Sequence, residues 1–230
     1  MPLQKGTIDK KQLKKIKEEI FKNSKPSQKI KIIAVTKNHP YSSILSACEN
    51  KIFDIGENKI QELELKIKNK KIPEKIKIHF IGRLQSNKVK KAVKLCDYIQ
   101  SVNSSRLLKK INKEAQKIDK TQKIYLQINI GKDINKQGFK KDEVFKKIKE
   151  FSEYKNIKIK GLMTILPQGL TQKQKRNLYN KTYSIQQKIQ KEYFKSCSNL
   201  SMGMSGDYVE ALKEGATEIR IGTKLYGKRQ

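Results

Sequence analysis

NLSMGMSGDYVEALKEGATEIRIGT, residues 199–223, decides the fold. NLSMG (199–203) has the length and apolar character of a buried strand. Residues 205–214 follow as a helical stretch stopped by Gly215, and EIRIGT (218–223) is a second strand. Strand, helix and strand in this order make a parallel pair joined by a right-handed crossover.

The same alternation runs back to the start of the chain. IKIIAVTK (30–37), KIFDIGE (51–57), IKIHFIG (76–82), YIQSV (98–102), KIYLQINI (123–130) and IKIKGLMTI (157–165) read as six earlier strands. Helical spacing fills every gap between them. One such segment aligns Leu107, Leu108, Ile111, Ala115 and Ile118, and a longer one aligns Leu178, Thr182, Ile185, Ile189 and Tyr193. A further helix, ending near Asn23, carries Leu13, Ile16, Ile20 and Phe21 ahead of the first strand. Eight strands alternating with helices in one domain, 1–230, predict an α/β fold, a closed (β/α)8 TIM barrel with an N-terminal helix. An open doubly wound sheet is the weaker alternative, because no GxGxxG follows the first strand.

Strand parity assigns the faces. In KIYLQINI the set Ile124, Leu126, Ile128 and Ile130 opposes Tyr125, Gln127 and Asn129; in IKIHFIG the set Ile76, Ile78 and Phe80 opposes Lys77 and His79. With apolar faces against the helices, Gln127, Asn129, His79 and Arg220 point toward the barrel axis. Polar groups there need partners, and near the C-terminal rim they line a site.

Composition bounds the function less than its size suggests. Lys and Arg number 53 against 22 Asp and Glu, a formal charge of +31, and only five of the basic residues are arginine. The excess is shared between residues 1–115 (28 basic, 11 acidic) and 116–230 (25 basic, 11 acidic). A nucleic-acid footprint is a patch or stripe, so the even spread reads as a solvated coat, and a specific nucleic-acid partner is not expected. Cys48, Cys96 and Cys197 lie far apart, and with two histidines they make no metal site. With no apolar leader and no run of about 18 apolar residues, a cytoplasmic protein without a membrane partner is expected.

Barrel sites lie at the C-terminal strand ends, with phosphate often held after the seventh and eighth strands. Ser201, Gly203 and Ser205 there lead into a helix, and Gly222–Thr223 closes the last strand. Glycines and hydroxyls suit a phosphate; on spacing alone, an N-cap at Ser205 and turn glycines is the plainer reading. Lys37 ends the first strand, where partial desolvation favours a neutral amine; on position alone, a solvated lysine is plainer. Arg220, buried between two isoleucines, needs an acceptor, a carboxylate such as Glu218 or Glu57 or a ligand atom. His79 reads as a hydrogen-bonded core histidine. His39 carries no assignment, and no serine-elbow motif supports a hydrolase.

IAVTK ending at Lys37, DIGENKIQE (54–62), HFIGRLQSNK (79–88), GLMTI (161–165) and LSMGMSGDYVEAL…GATEIRIGTKLYGKR (200–229) together resemble the pyridoxal 5′-phosphate homeostasis proteins, relatives of the N-terminal barrel of alanine racemase. The resemblance implies a PLP-binding barrel that serves intracellular vitamin B6 homeostasis and holds pyridoxal 5′-phosphate as a Schiff base on Lys37. It places Ser201, Met204, Gly222 and Thr223 in the phosphate cup and Arg220 at the pyridine nitrogen. Asn58 and His79 correspond to polar positions lining the cofactor cavity. An arginine only donates, so it favours an unprotonated pyridine and a weaker electron sink. The implied role is a monomeric carrier or regulator with no catalytic residue, whose partners are PLP and PLP-dependent apo-enzymes. A small PLP-dependent amino-acid racemase is the alternative, and a nucleic-acid-binding protein the more distant one. The chain departs from the family pattern at Ile78, at Asn38–His39 and at Tyr226.

Overall fold

Branched apolar residues at alternate positions hold a chain extended and give it one face to bury. In the computed structural model, which describes residues 6–131, 133 and 137–227, eight such segments close into a barrel. β1 (Lys31–Val35), β2 (Asp54–Glu57), β3 (Lys77–Phe80), β4 (Tyr98–Val102), β5 (Gln122–Gln127), β6 (Ile157–Met163), β7 (Asn199–Met204) and β8 (Glu218–Ile221) follow one another around it. All neighbours are parallel, and β8 returns to β1. Among the described residues the helices are α1 (Lys10–Asn23), α2 (Ser42–Glu49), α3 (Ile60–Ile67), α4 (Val89–Leu95, after a 3-10 turn at Ser86–Lys88), α5 (Ser105–Gln116), α6 (Lys141–Phe151), α7 (Gln172–Glu192), α8 (Tyr208–Lys213) and α9 (Thr223–Tyr226). None of these is long and apolar enough to cross a membrane.

The core lies between the outer strand faces and the helices, where Ile55, Ile124, Leu126, Ile219 and Ile221 have no exposed surface. Each such side chain contributes about 1.5–3 kcal/mol on leaving water. α1 packs on α8 and α9 through Leu13 and Ile16, and Asp9 N–H donates to Leu225 O at 2.8 Å. Thr171 starts α7 with a capping box completed by Gln174.

Three expectations change. Phe21 is 89 % exposed, so the buried stripe of α1 is Leu13 and Ile16. Ile118 lies past the end of α5 and is half exposed. β5 stops at Gln127: the chain then pairs with its own loop, Asn129 N–H donating to Phe139 O at 3.0 Å and the Asn129 side chain to Asp133 O at 2.8 Å. Asn129 therefore does not point down the barrel axis. Lys228 and Arg229, the last residues of the quoted C-terminal motif, lie outside the described residues, as do 132 and 134–136 of the loop after β5.

Candidate functional site

The C-terminal strand ends surround a cavity of about 510 Å³. Val35 and Lys37 come from the end of β1, Asn58 from just past β2, and Ile81, Gly82 and Arg83 from beyond β3. Gln127 and Ile165 form the far wall; Met204, Ser205, Gly206, Gly222 and Thr223 close the side after β7 and β8. Arg220 lines the cavity from within the barrel and is only 3 % exposed.

Arg220 heads a buried chain of hydrogen bonds. Its Nη1 donates to Ser201 Oγ at 2.7 Å, and Nη2 to Thr164 O at 2.8 Å. Ser201 Oγ donates in turn to Gln100 Oε1 at 2.7 Å. Because that oxygen accepts, the Gln100 amide nitrogen donates, to Glu218 Oε2 and to His79 Nδ1, each at 2.9 Å. His79 then carries its proton on Nε2 and donates to Asp54 Oδ1 at 2.9 Å. Tyr125 OH donates to Glu218 Oε1 at 2.6 Å. Donors thus run one way, from a permanent cation under the cavity to two carboxylates deeper in the barrel.

Burial pushes Arg220 below its ordinary value, while Tyr179, Asp207 and Glu218 oppose the shift; guanidinium still stays protonated in proteins. Asp54 is held below the usual carboxylate range: partial burial, the largest single influence, acts against this, and the bond and attraction from His79 together with the Lys31 and Lys77 ammonium groups outweigh it.

The β7 and β8 turns face each other. Asp207 Oδ1 accepts Met204 N–H at 2.7 Å, and Tyr179 donates to the same carboxylate. Burial first, and that bond with it, push the Tyr179 hydroxyl far above its ordinary value. Asp207, not Ser205, occupies the position before α8. Ser205 Oγ meets the backbone N–H groups of Gly222 and Lys224 only at 3.4 and 3.5 Å, longer than ordinary hydrogen bonds. Gly203, with φ 88°, lies under α8, where a Cβ would stand 2.7 Å from Ala211 Cβ and 2.8 Å from Tyr208 Cα. Its role is to let helix and strand approach.

Of the residues singled out from sequence, Lys37, Asn58, Met204, Arg220, Gly222 and Thr223 share the cavity wall. His79 and Ser201 do not; both are fully buried, engaged in the chain below Arg220. The acceptors of Arg220 are Ser201 and Thr164, in place of the expected Glu218 or Glu57. Glu57 instead pairs with Lys66, and burial pushes its carboxyl above the usual range against that pull. Sequence reading passed over Arg83, Gln137 and the Glu57–Lys66 pair. The scarcity of arginine flags Arg83, and Glu62 and Lys66 stand four apart on one helix face. The Gln137 amide, turned with its oxygen to Arg83, accepts from Nε and Nη2 at 2.8 and 3.0 Å.

Residues 8–230 match the family model for the alanine racemase N-terminal domain. A pyridoxal phosphate homeostasis protein of Synechocystis is 39 % identical over 211 residues, 92 % of this chain and 96 % of that protein. One from Aquifex aeolicus is 36 % identical, over 80 % of this chain and 79 % of that protein. The structure of PipY from Synechococcus elongatus with PLP bound superposes with a TM-score of 0.82 at 32 % identity, covering 94 % of this chain and 99 % of that one. The alanine racemase of Clostridium difficile shares the fold, with a TM-score of 0.76 at 17 % identity over 96 % of this chain and 58 % of that one.

Proposed function

The chain belongs to the alanine racemase N-terminal-domain family and within it to the pyridoxal phosphate homeostasis proteins, and on that premise we propose that it binds pyridoxal 5′-phosphate in the cavity above Arg220 and serves vitamin B6 homeostasis. The observation that carries this reading is one cavity holding Lys37, Arg220 and the turn residues Ser205, Gly222 and Thr223, with Ser205 only loosely bonded to the Gly222 N–H. The residues fit the cofactor. Ser205, Gly206, Gly222 and Thr223 offer hydroxyls and backbone N–H groups to a phosphate. Val35, Ile81 and Ile165 give apolar contact to a ring, and Arg220 retains donors for a ring nitrogen. Asn58 keeps a buried side-chain oxygen with no partner in the protein. The cofactor supplies an aldehyde, the group a lysine amine engages. On this reading Ser201 acts through Arg220 and touches no phosphate.

Holding, without turnover, is the role the cavity suits. Its titratable side chains among the described residues are Lys37, Arg83 and Arg220. Racemisation needs a second acid/base facing the first across the substrate, and no Tyr, His, Cys or carboxylate stands on these described walls. We place this function in the cytoplasm, where free Cys48, Cys96 and Cys197 stay reduced, with PLP-dependent apo-enzymes as recipients.

Borohydride reduction of the protein mixed with pyridoxal phosphate, followed by peptide mass mapping, tests the reading. Modification is expected at Lys37 ahead of the other lysines; random labelling across the surface would sink it. Exchange of amino-acid α-protons in deuterated water is expected to stay at background, and robust exchange would favour the racemase.

A further inference from the structure

The turn that carries Lys37 is held from behind by buried ions. Thr36 to His39 form a tight turn closed by a 3.1 Å bond from His39 N–H to Thr36 O. Asn38 stands third in it with φ 61°, the left-handed value a type II turn requires there. Lys66, from α3, has a side chain 4 % exposed and reaches under this turn, its Nζ 2.7 Å from Thr36 O. The same ammonium bonds Glu57 Oε1 and lies 3.3 Å from Glu62 Oε1. Thr36 Oγ1 donates to Glu57 Oε1 at 2.7 Å, and Glu62 Oε1 accepts the Asn38 N–H.

Each of the two peptide groups flanking the Lys37 Cα is therefore gripped. A cation takes the carbonyl on one side, and a carboxylate takes the N–H on the other. Stability is a poor explanation for the cluster. Burying an ion pair returns little net free energy, and Glu57 Oε2 is left with no partner at all. What the cluster does fix is direction, since two held peptide planes set the line along which Lys37 leaves the backbone.

We propose that Lys66, Glu62 and Glu57 are positioning residues that aim Lys37 into the cavity, an inference that rests on reading Lys37 as the attachment lysine. Three variants of the full chain test it. Lys66→Met keeps the stem and removes the charge, Glu62→Ala removes the acceptor of Asn38, and Glu62→Gln retains an acceptor oxygen. The Glu62 side chain is 23 % exposed, so its variants remain informative if Lys66→Met does not fold. Amide hydrogen exchange at Asn38 reports the grip with no ligand present. It is expected to speed up in Lys66→Met and Glu62→Ala and to return toward wild type in Glu62→Gln.

The rate of borohydride-trapped attachment of pyridoxal phosphate at Lys37 is expected to fall about tenfold in the first two variants, as small misplacements of a reacting group do. Affinity for pyridoxamine phosphate, which lacks the aldehyde, is expected to change less than about twofold. Unchanged exchange at Asn38 overturns the grip. Faster exchange with unchanged trapping overturns its role in aiming. Pyridoxamine phosphate affinity falling in step with trapping also overturns it, because the cavity as a whole has then collapsed. If wild-type protein takes no adduct at Lys37, the reading of the cavity is what fails, and exchange at Asn38 still decides the grip.

Discussion

Below Arg220, the inward strand positions carry Asp54, His79, Gln100, Tyr125 and Glu218, which spend their polar atoms on one another. Above it, Lys37, Asn58, Ser205 and Thr223 stand around open volume, and Ser205 meets its backbone neighbours only loosely. Both halves use the same alternation of polar-in and apolar-out. They differ in what surrounds the polar groups: side chains of one buried network below, the cavity above. An inward polar residue is thus a poor marker of function by itself; the informative feature is whether it lines the cavity. Arg220 belongs to both halves, bonded to Ser201 and Thr164 below and lining the cavity above.

The largest effect that separates the halves is Lys37→Ala, which is expected to abolish trapping in the cavity while leaving the unfolding midpoint in urea near wild type. Continued trapping at one other cavity residue would erase the distinction. Gln100→Leu tests the closed half: it strips partners from Ser201, His79 and Glu218 and is expected to cost about 2–4 kcal/mol of stability by urea titration. Folded molecules of that variant should still trap at Lys37, since Gln100 does not line the cavity.

Thr223→Val returns to the open half. Losing one donor to an anion is expected to weaken pyridoxal phosphate binding about tenfold, roughly 1.4 kcal/mol, with stability little altered. Equilibrium dialysis checks it, and unaltered affinity would remove Thr223 from the cup.

The smallest effect is one of sign in acid. Asp54 is held below 3.8 in the folded chain, so its contribution is present above that pH and is lost as pH falls through the folded value. Glu57 is raised above 4.5, so its contribution is present below that pH and is lost as pH rises through the folded value. Relative to wild type, Asp54→Asn should be most destabilised above pH 3.8, and Glu57→Gln should gain as pH climbs past 4.5. Unfolding curves with the same pH slope for both variants would overturn these opposite signs.

Much of this was legible in the chain itself. Alternating strand and helix signals led to the barrel, because periodicity is a local property. Strand ends drew notice to Lys37, Gly222 and Thr223, but their roles were implied by the family resemblance, since on position alone they read as a solvated lysine and turn residues. His79 was legible as a hydrogen-bonded core histidine, but its partner and that of Ser201 were not, for a non-local reason: Gln100 is 21 residues from one and 101 from the other. Ser205 read as a helix cap because the competing carboxylate, Asp207, sits two positions on and is fixed by Met204 and Tyr179.

Sequence alone therefore determined the parallel barrel, its inward and outward faces and the end of the barrel where a site lies, since these follow from side-chain period and strand order. Only the tertiary structure decided which inward polar groups bond one another and which line the cavity, and that Lys66 grips the turn behind Lys37. Those outcomes depend on distances between side chains far apart in the chain, which no local pattern encodes.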